Sequence, residues 1–220
     1  MNTRAKHMLI LLGGLHHDFD GFARVIKSLF EAEDWSVEAT YDLDVLTRLS
    51  KANDQVVLSY ICLLKNSPSQ ENPTPERLTD AQVHGLASWV QQGGGLLAVH
   101  CATVIGDSNP DLARLLGGSF ISHPAPFTFT ISPVSDGHPI TKDVPAFEMY
   151  DEFYIERCEP SAAIHMSADY EGATYPMAWS RPEGVGRVVH IAPGHFPDVW
   201  NHPDYQRLMI QAVHWLSEER

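Results

Sequence analysis

Met8-Leu9-Ile10-Leu11-Leu12 is an unbroken apolar run closed by Gly13-Gly14. A strand in which every residue is apolar cannot show one face to solvent, so it has to be covered on both faces. Gln55-Val56-Val57-Leu58-Ser59-Tyr60 and Leu96-Leu97-Ala98-Val99 read the same way. Strands buried on both faces belong to parallel sheets, where the crossover helices supply the cover.

The segments between these runs carry those helices. Phe22, Val25, Ile26, Leu29 and Phe30 fall at helical spacing, and Asp18 or Asp20 can cap the start. Trp35 to Thr40 alternates as a second strand, and Tyr41 to Leu49 reads as a short helical turn. Lys65 to Pro75 reads as a polar loop over the carboxyl edge of the sheet. Thr79 with Gln82 forms a capping box ahead of Val83, Leu86, Ala87 and Val90, and the helix stops at Gly93. Asn109 to Leu116 is a further short helix, ended by Gly117-Gly118.

The second half changes character. Thr128–Ile131, Phe153–Ile155 and Ala162–Met166 read as short strands separated by turns. Pro176–Ser180 and Arg187–Ala192 flank a turn and predict a hairpin or a return to the main sheet. Tyr205, Leu208, Met209, Ala212, Val213 and Leu216 line one face of a closing helix. The expectation is one domain over residues 1–220. It is an α/β, flavodoxin-like three-layer α/β/α fold, with a mostly parallel central sheet and antiparallel strands added in the C-terminal half.

A formal net charge of −13 argues against a nucleic-acid partner or an anionic membrane surface, both of which need clustered Lys and Arg. No apolar stretch is long enough for a membrane span. The N-terminal residues lack the pattern of a signal peptide. Cys62, Cys101 and Cys158 are too few and too scattered for a disulfide framework. These features predict a cytoplasmic protein, with a homodimer as a base-rate expectation. No nucleotide cofactor is expected.

Histidine is the unusual component, with twelve residues. Five polar stretches interrupt the scaffold: His16-His17-Asp18, His100-Cys101, His123-Pro124, Asp151-Glu152 and Gly194-His195. The first, second and last follow predicted core strands, at the edge where open α/β sheets bind ligands. Asp151-Glu152 is expected to open a strand. Neutral imidazoles converging with a carboxylate suit a divalent metal such as zinc or manganese, with His17, His100, His123 and His195 as candidate ligands, joined by Asp151 or Glu152. Without a metal the same groups suit acid–base work, with His100, His195 and Glu152 as the catalytic candidates. Cys101 is a candidate nucleophile if a histidine lowers its pKa; the alternative is a small residue buried under a tight turn. His138, His165 and His202 read as structural, and His84 and His214 as surface or packing residues.

These motifs, taken in order, resemble the ThuA-like (trehalose-utilisation) family of the class I glutamine amidotransferase-like superfamily. The matching residues are His17-Asp18, Leu78-Thr79, Gly93-Gly94-Gly95, Val99-His100, Leu116 to Phe120, His123-Pro124, His138 to Thr141, Asp151 to Tyr154, Pro176 to Trp179, Gly186 to Val188 and Gly194-His195. The resemblance implies a flavodoxin-like fold and a role in sugar metabolism, with a small carbohydrate, trehalose-derived or a keto-sugar, as partner. His17, Asp18, Asp151 and Trp200 then become substrate-binding candidates, with Trp200 or Phe196, close to His195, stacking on a sugar face. True glutamine amidotransferases place a nucleophilic Cys at a strand-to-helix elbow, whereas His100 stands at that position here and Cys101 one place on. Their late His-Pro-Glu is matched only by His195-Phe196-Pro197-Asp198. The alternatives to a metal-assisted or acid–base enzyme are a Cys101-dependent, amidotransferase-like hydrolase and a non-catalytic sugar-binding protein.

Overall fold

The computed structural model describes residues 6–51, 53–63, 77–105, 109–134 and 137–218. The loop expected over 65–75 lies outside them. Strands β1 (Lys6–Gly13), β2 (Trp35–Thr40), β3 (Val56–Ile61) and β4 (Gly95–Val99) run parallel, and β11 (Gly186–Ile191) joins them beside β4. Their order, β2-β1-β3-β4-β11, is the flavodoxin-like 2-1-3-4-5 arrangement, whose strand order reverses between β1 and β3. The sheet then continues antiparallel through β10 (Ala173–Glu183), β9 (Ala163–Tyr170), β6 (Phe127–Pro133) and β7 (Phe147–Asp151), to nine strands among the described residues. β5 (Gly118–Ser122) and β8 (Ile155–Cys158) form a separate antiparallel pair. Both readings of Arg187–Ala192 hold, because β11 closes a hairpin with β10 and lies parallel to β4.

Helices cover both faces of the sheet. Met8, Ile10 and Leu12 pack with Phe22, Ile26 and Phe30 of α1 (Phe19–Glu31) and with Leu208, Met209 and Val213 of α5 (Pro203–Ser217). Leu9 and Leu11 point the other way, to Val83, Leu86 and Val90 of α2 (Asp80–Gln91) and Leu115 of α3 (Pro110–Leu116). This two-sided cover is what the unbroken apolar run of β1 requires. The capping box forms as expected: Gln82 N donates to Thr79 Oγ1 at 3.2 Å, and Thr79 N to Gln82 Oε1 at 2.9 Å. The helical turn after β2 is a 3₁₀ helix, Leu43–Arg48. Among the described residues, no helix is long and apolar enough to cross a membrane.

One local expectation fails. Asp151 does not open a strand; it closes β7, and Glu152, Phe153 and Tyr154 lie between β7 and β8. Phe153 and Tyr154 are apolar and strand-like in type, but they are buried as plugs against the core rather than paired in a ladder. The chain turns there, and the turn delivers Glu152 to the site described below.

His165, on β9, is buried against Ser180 Oγ at 2.7 Å and stacks near His138 at 4.1 Å. Burial, with the nearby His138, pushes its pKa down to about 4. An unfolded imidazole takes up its proton near 6.5, so between these values the unfolded chain binds more protons. This contribution to stability is therefore complete above pH 6.5 and is lost as the pH falls toward 4. Urea unfolding is expected to show a loss of about 1–2 kcal/mol between pH 7 and pH 5, allowing for solvent screening. The loss should be correspondingly smaller in His165→Gln.

Candidate active site

The carboxyl ends of β1, β4 and β11 deliver His17, His100 and His195 to one point. β4 ends in a tight elbow: Val99 is extended, and His100 has φ +46° and begins a 3₁₀ turn, His100–Thr103. The left-handed region costs a non-glycine residue about 1–2 kcal/mol, so the surroundings must hold this backbone in place. The elbow leaves His100 wholly buried, with its ring stacked on Tyr154 at 3.9 Å and 28°.

Each imidazole is oriented by the atoms around it. His100 Nδ1 donates to Ala192 O at 2.8 Å, which fixes the tautomer and leaves Nε2 with a free lone pair. His17 Nδ1 lies 2.7 Å from Leu15 O and does the same for its own Nε2. The rings of His17 and His195 are 4.7 Å apart, and those of His17 and His100 are 5.1 Å apart. Glu152 Oε2 lies 3.4 Å from His100 Nε2 and 3.2 Å from His195 Nδ1. Neither approach has hydrogen-bond geometry: His17 Nε2, His100 Nε2 and His195 Nδ1 are all buried without a hydrogen-bond partner. One ligand atom from each of His17, His100, His195 and Glu152 lies within 4.8 Å of the others. In His17 and His100 a backbone carbonyl takes one ring nitrogen and leaves the other facing the shared centre, which is the pattern of metal-ligating histidines.

The electrostatics agree with that pattern. Burial pushes His17 and His100 below the ordinary histidine value, toward the neutral form that can ligate. His123 stands outside the cluster. Its Nδ1 lies 2.8 Å from Pro124 O, and its Nε2 reaches only to 3.8 Å from the outer oxygen of Glu152, at the exposed rim.

The loop after β11 carries His195, and nearly every polar backbone atom in it has a partner. Tyr205 donates to Pro193 O at 3.0 Å, and Tyr60 and Trp200 donate to Gly194 O at 2.8 and 2.5 Å. Asp151 accepts from Gly194 N at 2.6 Å and from His195 N at 3.1 Å. Burial pushes the Asp151 carboxyl up to about 7, against the pull of those backbone donors. Gly194 has φ +149°, and a Cβ there would sit 3.2 Å from the His100 Cβ, so the two histidine loops pack directly on each other.

Several expected roles therefore move. Asp151 and Trp200 were substrate-binding candidates; both are buried and serve as anchors of the His195 loop, with no face open to a ligand. Asp18 caps α1 by accepting from Gly21 N at 2.9 Å and reaches no histidine in the cluster. Cys101 is wholly buried beneath the elbow, and burial raises its thiol. A cysteine nucleophile needs an accessible, electropositive setting, which this is not. The sequence reading missed Tyr60, Tyr154 and Tyr205. Each looks like core, and only its partner across the fold gives it a part in the site.

The sequence profile of the ThuA family, described as trehalose utilisation, matches residues 7–216. Among curated proteins, none matches the chain significantly. A protein described as ThuA-like from Parabacteroides merdae superposes with a TM-score of 0.79 at 17% identity, covering 98% of this chain and 90% of that one. A cytoplasmic protein from Salmonella typhimurium gives 0.71 at 14% identity, covering 97% of this chain and 100% of that one. A β-galactosidase from Rahnella gives 0.68 at 13% identity, covering 98% of this chain but 32% of the enzyme. At these identities the likeness to solved structures is one of fold.

Proposed function

We propose, because the chain belongs to the ThuA family of trehalose utilisation, that it is a cytoplasmic enzyme of sugar metabolism acting on a small carbohydrate through a divalent metal. His17, His100, His195 and Glu152 would hold the metal. The observation that carries this reading is the convergence of three buried, unpartnered imidazole nitrogens and a carboxylate within 4.8 Å. Imidazole and carboxylate donors suit zinc or manganese. Such an ion, when bound, supplies Lewis-acid polarisation of a carbonyl or hydroxyl oxygen.

The chain's own groups do the rest. Glu152 brings a full negative charge to the cluster and balances the charge that gathers there. The Ala192 and Leu15 carbonyls hold His100 and His17 in the tautomers that face the centre. His123, at the rim and 3.8 Å from Glu152 Oε1, would pass a proton between a bound sugar and solvent. The family's description, trehalose utilisation, supports a trehalose-derived sugar as substrate.

The test is turnover. Protein loaded with zinc or manganese is incubated with trehalose, related disaccharides and their keto derivatives, and products are read by NMR and mass spectrometry. Metal-dependent conversion of at least one sugar is expected, with kcat/KM falling at least about 1,000-fold in His195→Ala, a loss of about 4 kcal/mol. Conversion indifferent to chelators, or no conversion across the panel, would contradict the reading.

A further inference from the structure

Directly under the elbow lies a second buried polar group that the site does not use. His190 Nε2 lies 3.0 Å from Glu156 Oε2, and both side chains are fully buried. Thr103 Oγ1 lies 2.5 Å from Glu156 Oε1 and 3.1 Å from His100 O. A hydroxyl has one proton to give, so Thr103 makes a three-centre bond, with its stronger arm to Glu156 and its weaker arm to the elbow carbonyl. A buried pair of this kind adds little net stability over apolar residues of equal volume.

Its place in the chain suggests another role. Thr103 stands three residues after His100, Glu156 four after Glu152, and His190 five before His195. The three segments that bring His100, Glu152 and His195 to the cluster are thus tied together at one buried point, beneath a backbone held at φ +46°.

We propose that Thr103, held by Glu156, which His190 holds in turn, is a positioning residue that sets the separation of His100 and Glu152. The proposal rests on the reading that these two residues serve one metal site. Thr103→Val keeps the shape and removes the donor, Thr103→Ser restores it, and Thr103→Cys keeps a weak donor if the valine variant does not fold. Two measurements are made on the full chain: cobalt(II) affinity, and the His100 Nε2 to Glu152 Oε2 distance in metal-free crystals.

In Thr103→Val, affinity is expected to fall about 10-fold or more, the scale of lost outer-shell support. The separation should open beyond 3.4 Å, while Thr103→Ser retains both values and Thr103→Cys falls between. A valine or cysteine variant with the wild-type separation and affinity would overturn the proposal. If wild-type protein takes up no cobalt, the metal reading fails on its own, and the metal-free separation still decides the role of Thr103.

Discussion

Replacing Glu152 by Gln is expected to weaken divalent-metal binding at least about 100-fold, because it exchanges the one anionic ligand of the set for a neutral amide oxygen, where the loss of mere outer-shell support already costs 10–100-fold. Gln keeps the volume and one acceptor oxygen but loses the charge that faces His100 and His195. The variant should fold, since Glu152 sits on a turn and fills no core position. Asp18→Asn is the control. Asp18 caps α1 outside the cluster, and Asn caps about as well as Asp, so its metal affinity should match wild type. Competition titration against a chromophoric chelator measures both. Equal affinity in Glu152→Gln and wild type would remove Glu152 from the site.

Asp151 is expected to behave in the opposite way, although it is the adjacent residue. Its carboxylate is buried and binds the Gly194 and His195 amides. Asp151→Ala leaves two buried N–H groups without partners and a hole beside them, at about 3–5 kcal/mol. In a chain of this size that corresponds to a fall in Tm of about 10–15 °C. Asp151→Asn keeps one acceptor oxygen and should lose less than half as much. Differential scanning calorimetry on both variants tests this. A Tm within about 2 °C of wild type for Asp151→Ala would show that the His195 loop is held by its other anchors alone.

Glu152 and Asp151 also show where sequence reasoning stops. The parallel core was legible because two-sided burial leaves unbroken apolar runs, and Met8–Leu12 and Leu96–Val99 are short runs bounded by glycine, the length and flanks of buried strands. His17, His100 and His195 could be placed at one edge for the same reason, since each follows a core strand. The split between Asp151 and Glu152 was not legible. Two adjacent acids look alike until the turn after β7 sends one inward to the His195 loop and the other to the histidines. Trp200 failed differently. Its closeness in sequence to His195 suggested a sugar platform, whereas the short helix α4 (Pro197–Trp200) folds its indole back under Gly194. The Thr103, Glu156 and His190 contact joins residues separated by 53 and 34 positions, and no local pattern announces it.

The most direct test of the account is the metal content of untagged protein, incubated with zinc or manganese, gel-filtered and analysed by inductively coupled plasma mass spectrometry. The account predicts close to one equivalent in the wild type, and almost none in His100→Ala or His195→Ala variants that remain folded by circular dichroism. Wild-type protein that emerges without metal from both ions would contradict it, as would folded variants that retain the full equivalent.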